Sequence, residues 1–334
     1  MSYGFVRRLL FRMDAEEAHD FAVEYMQRLQ AIGIVTRGIA RATRPDEALA
    51  RTVWGLRFRS PFGIAAGFDK NARLMPMLAA LGFGFIEVGT VTLEPQEGNP
   101  RPRLFRYPEA KAVINRMGFN NDGARVVASR IERWRETSDL QPPLFVNVGK
   151  NRDVPLAAAA DSYASCYSIV AKHADVAVLN LSSPNTPSLR DLQKPEHLEK
   201  LLATMASVRF GRQPLLVKIA PDLDEGQLAE ICAVCTNFAD GIICTNTTVD
   251  RLPGMNEAGG LSGRPLLSKS SSVLARVRKF VGPAFPLVGV GGIFTAADVR
   301  DKFEAGADLV QSYTGFIYEG PWMAARIARE LARN

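Results

Sequence analysis

The chain has 334 residues, 47% of them apolar and 23% charged, which is the balance of a soluble globular protein with room for one large α/β barrel or two ordinary domains. The formal net charge is +6, but 31 of the 41 basic residues are Arg scattered along the whole length. That pattern excludes a basic nucleic-acid tract and leaves a mild positive bias suited to an anionic ligand or an anionic membrane surface. No apolar run reaches the ~20 residues of a membrane-spanning helix, and the start of the chain lacks the apolar core of a signal peptide.

Residues 1–45 stand apart from the rest. Residues 3–11 and 15–30 read as two short helices, with Asp14 and Glu17 as a cap for the second and Gly33 as a stop signal. Ala18, Phe21, Ala22, Tyr25, Met26 and Leu29 recur at helical spacing on one face, while Arg7, Arg8, Arg12 and Arg28 supply positive charge. Two readings stay open: a small helical cap packed on the remainder of the chain, or an amphipathic pair that dips into a membrane surface or gates an apolar tunnel. Residues 52–59 read as a short hairpin plugging the floor of a barrel.

From Pro61 onward apolar strands alternate with helical stretches. Strands are expected over residues 62–66, 85–90, 144–148, 176–181, 215–220, 241–246, 287–290 and 309–313. Helices are expected near residues 71–81, 122–135, 161–173, 195–208, 224–238, 268–280, 295–305 and 321–332. Eight of each in strict alternation match a (β/α)8 TIM barrel, whose active site lies at the C-terminal ends of the strands. A doubly wound open sheet is the alternative fold. The expected organisation is a helical extension over residues 1–45 and a barrel over 46–334.

The strand ends carry polar chemistry. The first runs into Ala66-Gly67-Phe68-Asp69-Lys70, small residues that let a planar ligand approach the backbone, followed by a cation for an anion. Thr90 ends the second, and Asn147 interrupts the apolar third. The fourth leads into Asn180-Leu181-Ser182-Ser183-Pro184-Asn185-Thr186-Pro187, hydrogen-bonding side chains on a backbone stiffened by two prolines. Alone it would pass for a polar surface turn; the recurrence of similar endings marks it as part of a site. Lys218 lies inside the fifth strand, where an ammonium is costly unless paired, so it faces a ligand or a structural partner. Thr245-Asn246-Thr247-Thr248 ends the sixth, and Gly259-Gly260-Leu261-Ser262-Gly263 comes after it. Gly291-Gly292 before the Thr295 and Asp298 helix start, and Tyr313-Thr314-Gly315 after the eighth strand, form a phosphate cradle at the barrel's usual position.

The three histidines fall in predicted helices or their approaches, so imidazole catalysis and a His-ligated metal are poor bets, and no metal is expected. Cys232 and Cys235 form a C-x-x-C inside a helix with no second ligand pair and read as packed thiols; Cys166 and Cys244 lie in predicted helix or strand, and reduced thiols point to the cytosol. A phosphate cradle, two lysines and many neutral hydrogen-bonding groups, without a His or carboxylate cluster, suit a phosphate-bearing cofactor that does its own chemistry, with flavin mononucleotide (FMN) the natural candidate.

These motifs in this order, together with Asn115-Arg116-Met117-Gly118-Phe119-Asn120 and Asn147-Val148-Gly149-Lys150-Asn151, closely resemble dihydroorotate dehydrogenase over essentially the whole chain. The resemblance implies FMN bound by Ala66, Gly67, Phe68, Asp69, Lys70, Thr90, Asn147, Asn180, Lys218, Thr245, Gly263, Gly292, Tyr313 and Thr314. It implies substrate held by Lys70, Asn115, Arg116, Met117, Gly118, Phe119, Asn180, Asn185, Asn246 and Thr247. In that family cytosolic class 1 enzymes carry Cys in the loop after strand 4 and class 2 enzymes carry Ser; here the residue is Ser183. Ser183 is then the base that removes the C5 proton as hydride leaves C6 for flavin N5, with Thr186 and the backbone near Phe119 relaying the proton. His19, Arg106 and Tyr313 match positions expected near a quinone. The implied protein is a monomer that turns dihydroorotate into orotate for pyrimidine synthesis. It would pass electrons to a membrane quinone from the cytoplasmic side of the cell membrane, in peripheral contact with it and without nucleic acid. The rivals are a class 1-like enzyme using fumarate or NAD, a non-redox barrel for a phosphorylated metabolite, and a non-catalytic membrane-surface module.

Overall fold

The computed structural model describes residues 3–333. Three helices open the chain: α1 (Tyr3–Leu10), α2 (Ala15–Gln30) and α3 (Gly33–Thr43). Asp14 caps α2, its carboxylate accepting from the N–H groups of Glu16 and Glu17 at 2.8 and 3.2 Å. Gly33 departs from expectation. It lies just past the end of α2 but opens a third helix, whose stability comes from packing: Ile39 meets the core and the Thr43 hydroxyl donates to the Ala80 carbonyl.

The expected hairpin is β1 (Arg51–Val53) and β2 (Leu56–Phe58), joined by Trp54-Gly55, both at positive φ as a tight hairpin turn requires. Fully buried Phe58 packs edge-on against Phe85 and Phe145, at 5.5 and 6.1 Å between centroids, and closes the barrel floor.

The chain continues through β3 (Phe62–Ile64), α4 (Met75–Ala80), β4 (Ile86–Val91), β5 (Leu104–Tyr107), β6 (Ala112–Asn115), α5 (Ala124–Thr137), β7 (Leu144–Val148) and α6 (Ala159–Val170). After these come β8 (Val176–Asn180), α7 (Pro195–Val208), β9 (Leu215–Ile219), α8 (Glu225–Phe238), β10 (Gly241–Cys244), β11 (Gly260–Gly263) and α9 (Leu267–Val281). The last elements are β12 (Leu287–Val290), α10 (Ala296–Glu304), β13 (Leu309–Ser312), α11 (Thr314–Glu319) and α12 (Met323–Ala332). All eight expected strands are present and close a parallel barrel in the order β3-β4-β7-β8-β9-β10-β12-β13, which rules out the open sheet. Phe85, Phe145, Val178, Leu216, Ile243 and Val288 fill its interior, while the alternate residues pack outward against the helices. The register sets Gly89 beside Asn147 and Asn180 beside Lys218, so the polar residues of neighbouring strands end at one level.

Besides the short helix α11, which the sequence pattern did not predict, two details differ from that pattern. Helix α4 starts at Met75 rather than near residue 71, because the Asp69 carboxylate takes the N–H groups of Arg73 and Leu74 and Pro76 sits in the first turn. A three-stranded sheet, β5-β6-β11, was not foreseen. It pairs Gly260 with Asn115 and carries both residues to the mouth of the barrel. The four cysteines are buried free thiols.

Candidate active site

At the C-terminal mouth of the barrel the strand ends surround a cavity roofed by β6 and β11. Ala66, Gly67, Lys70, Thr90, Asn115, Met117, Gly118, Phe119, Asn180, Ser183, Asn185, Lys218, Thr245, Asn246, Thr247, Gly263, Gly292, Tyr313 and Thr314 all line it. Five other expected site residues do not. Asn147 stands behind Thr90, accepting its hydroxyl at 2.5 Å. Asp69 is buried and spent on backbone N–H groups before α4. Phe68 faces a second cavity. Arg116 pairs with Glu257 at 2.7 Å and lies over the Phe105 ring. Thr186 is buried in its own loop.

The Ser183 loop is held at several points. The Tyr163 hydroxyl donates to the Asn180 carbonyl at 2.7 Å, and the Ser182 hydroxyl to the Lys218 carbonyl at 2.6 Å. Arg190 donates to the carbonyls of Ser182 and Thr247 at 3.0 and 3.1 Å while paired with Asp222 at 2.9 Å. Ser183 is buried, and its Oγ accepts the Asn185 N–H at 3.2 Å. Around it the amides interlock: Asn180 donates to Thr90 at 2.8 Å, Asn246 to Asn180 at 3.1 Å, and Asn185 to Asn115 at 3.2 Å. The result is a preorganised set of neutral dipoles rather than an acid–base pair. The Phe119 carbonyl accepts from the Gln96 and Asn121 side-chain amides, at 3.1 and 2.8 Å, which fixes the backbone at this side of the cavity.

Two electrostatic features mark the cavity for anions. Among the described residues the Lys70 ammonium has no hydrogen-bond or ion-pair partner; burial pulls its pKa down to about 8, against the opposing pull of Glu16. At the other end Gly263, Gly291 and Gly292 have φ of +99°, +112° and +77°. A Cβ at Gly292 would stand 2.6 Å from the Leu267 backbone nitrogen, and one at Gly263 2.3 Å from the Lys111 oxygen, so only glycine builds this wall. An unpaired ammonium and a glycine wall beside the start of α11 fit a planar cofactor with a phosphate arm.

A second cavity, about 530 Å³, is enclosed by α1, α2 and the barrel and lined mostly by apolar side chains, including Leu10, Ala22, Met26 and Leu29. Of the three residues expected near a quinone, His19 and Arg106 line this cavity and Tyr313 lines the polar one. Phe68 is the wall between the two, edge-on to His19 at 5.3 Å and to Tyr313 at 6.2 Å. Burial, then Lys70, hold the His19 pKa down to about 3, so its ring is neutral in the physiological range. Arg106 is anchored to the end of α1 and the turn after it, Nη1 and Nη2 donating to the Leu10 and Met13 carbonyls, with further N–H groups of the guanidinium left over. Phe5 and Leu9 on α1, Phe21 and Tyr25 on α2, Ile32 just before α3 and Ile34 on α3 are exposed, and Ile34 reaches 74%. No helix among the described residues is long and apolar enough to cross a membrane.

Glu87, Ser182 and Arg190 were missed by sequence reasoning. Glu87 carried a usable signal: it is a lone carboxylate in an apolar strand, the mirror of the observation that singled out Lys218. Ser182 stands in the loop already marked as part of a site, but its anchoring role, like that of Arg190, carried no signal, since the Lys218 and Thr247 carbonyls come from distant segments.

Fold and site together define a (β/α)8 barrel with a polar cavity at its mouth and an apolar side chamber under an N-terminal helical extension. A family model described as Dihydroorotate dehydrogenase matches residues 48–334. Full-length relatives named dihydroorotate dehydrogenase (quinone) are 46% identical: that of Acidithiobacillus ferrooxidans with 99% of this chain and 94% of the relative covered, and that of Alkalilimnicola ehrlichii with 99% of both. The crystal structure of the Eimeria tenella enzyme with ferulenol has a TM-score of 0.85 at 35% identity, covering 97% of this chain and 94% of that one. The chain belongs to the dihydroorotate dehydrogenase family, flavin-dependent oxidoreductases, and its full-length relatives are the quinone-dependent members.

Proposed function

We propose that this chain oxidises (S)-dihydroorotate to orotate, with FMN as prosthetic group and a membrane quinone as acceptor, in de novo pyrimidine synthesis. The observation that carries the reading is the placement of Ser183 in the same cavity as Lys70 and the interlocked asparagines, one phenylalanine away from an apolar chamber. FMN, when bound, supplies a two-electron acceptor for the substrate's hydride and a donor for the quinone.

Ala66, Gly67, Thr90, Asn180, Lys218 and Thr245 are the residues for the flavin ring. Gly263, Gly292, Tyr313 and Thr314 serve its phosphate arm. Asn147 acts on Thr90 and Asn180 from behind. Lys70 takes the substrate carboxylate, and Asn115, Asn185, Asn246 and Thr247 orient the ring and stabilise charge as the C5 proton leaves. Ser183 Oγ takes that proton as its own hydroxyl proton passes outward by way of Thr186 and the backbone near Phe119.

Residues 1–45 are the quinone-channel and membrane-contact unit, and 46–334 the catalytic unit of a monomer. The exposed aromatic and aliphatic side chains of α1–α3, interspersed with Arg8, Arg12, Arg28 and Arg37, suit peripheral contact with an anionic bilayer on the cytoplasmic side. His19 and Arg106 are the polar contacts for a quinone, and neutral His19 offers one N–H donor to a quinone carbonyl at neutral pH. Purified protein should be yellow with stoichiometric FMN; a colourless protein that binds phosphorylated metabolites would overturn the proposal.

The Lys70 pKa gives a pH prediction. The charged form, which binds the anionic substrate, dominates below about 8 and is lost as pH rises through that value. kcat/KM for dihydroorotate should therefore fall on the alkaline side with an apparent pKa near 8, through KM. In Lys70→Arg, whose guanidinium stays charged, that limb should move out of range. An alkaline limb of equal pKa in both proteins would assign it elsewhere.

A further inference from the structure

We infer that Glu87 is a positioning residue that opposes the charge of Lys218 and holds down the reduction potential of the flavin, an inference that rests on the flavin reading above. Glu87 stands between Ile86 and Val88 on β4 and is completely buried; Lys218 on β9 is 5% exposed. Strand alternation places Glu87 on the inward face with Phe85, and Lys218 on the inward face with Leu216. Glu87 Oε1 accepts from Asn147 Nδ2 at 2.6 Å, whereas Oε2 has no hydrogen-bond partner and lies 3.9 Å from Lys218 Nζ.

This geometry is poor for stability. A buried ion pair without direct hydrogen bonds rarely repays its desolvation, and apolar residues of similar volume pack at least as well there. It is well suited to acting on the cavity. Lys218 lines the cavity and Glu87 does not, so the carboxylate works through its neighbours. It offsets the field of Lys218, and it orients Asn147, whose Oδ1 accepts from Thr90 at 2.5 Å and from Asn180 at 3.2 Å. A flavin that accepts two electrons gains negative charge, which Lys218 favours and Glu87 opposes, in an interior where screening is weak. Lys218 alone would make the reduced cofactor too stable to pass its electrons on readily. The pair makes reduction by substrate and reoxidation by acceptor both accessible.

The test is the midpoint potential of the FMN holoprotein, measured by reductive titration against reference dyes, for wild type, Glu87→Gln and Glu87→Asp. Glutamine keeps the volume and the acceptor for Asn147 but removes the charge. The expected shift favours reduced flavin by roughly tenfold or more, about 30 mV upward for a two-electron couple, with slower reoxidation by quinone. Glu87→Asp, which keeps the charge, should stay close to wild type. A flavin-replete Glu87→Gln protein at the wild-type potential would overturn the inference, as would equal shifts in both variants. If Glu87→Gln does not accumulate with flavin, Lys218→Met is compared with Lys218→Met/Glu87→Gln: a more positive potential in the double variant supports the inference and equal potentials overturn it. Wild-type protein without flavin would instead sink the functional reading, a result separable from either.

Discussion

Replacing Ser183 by alanine is expected to leave FMN bound and to slow its reduction by dihydroorotate by about 10²- to 10⁴-fold, the usual contribution of a positioned general base. The expectation rests on the surroundings of the hydroxyl. Ser183 is buried, its Oγ accepts only the Asn185 N–H, and no histidine lines the cavity that could substitute for it. Apart from Asn180 and Asn185, the groups expected to bind flavin and substrate lie on other strands, and the loop's anchors are the Asn180 and Ser182 carbonyls and the Ser182 hydroxyl. Alanine therefore removes the proton acceptor without releasing the loop. Anaerobic stopped-flow mixing reads the effect as the rate of flavin bleaching; an unchanged rate at neutral pH would remove Ser183 from the base role.

Glu16→Ala should be the most damaging single change in the extension. Glu16 and Arg103 are 5% and 7% exposed, and the guanidinium donates to both carboxylate oxygens at 2.7 to 3.1 Å, tying α2 to the start of β5. Removing one partner leaves the other charge buried, at a cost of about 3–5 kcal/mol. The loss falls on the docking of α1 and α2, which form one side of the apolar chamber. Quinone turnover should then drop much further than flavin reduction by dihydroorotate, and proteolysis should reach residues 1–45 first. Equal loss of both half-reactions would make the extension a plain structural cap. Glu16→Gln, which keeps the size, should fall between alanine and wild type.

The barrel was legible in the sequence because each strand is a short apolar run closed by small or polar residues, and each helix carries its own periodicity. The cavity lining was legible for the same reason: Ala66, Thr90, Asn180, Lys218 and Thr245 occupy strand ends, and strand ends in this fold converge. What escaped depends on pairings distant in the chain. Nothing in Gly260–Gly263 announces that it will hydrogen-bond to Ala112–Asn115, nor in Arg190 that it will meet Thr247. Asp69, Phe68 and Asn147 belong to the right motifs but stand one layer back, because adjacent residues on a turn or strand point to different faces. Tyr313 shows the same limit: the strand end was right, and only the packing of Phe68 decides which chamber the ring faces. The third helix was hidden by Gly33, a stop signal to local propensity that packing overrides.

The central claim, that one chain couples dihydroorotate to a quinone through FMN, is tested most directly by an anaerobic acceptor screen on the purified protein. Dihydroorotate should bleach the flavin absorbance. A quinone should restore it on the timescale of turnover, while fumarate and NAD⁺ leave it bleached. A flavin that dihydroorotate leaves oxidised, or one restored by fumarate or NAD⁺ but by no quinone, would contradict the account.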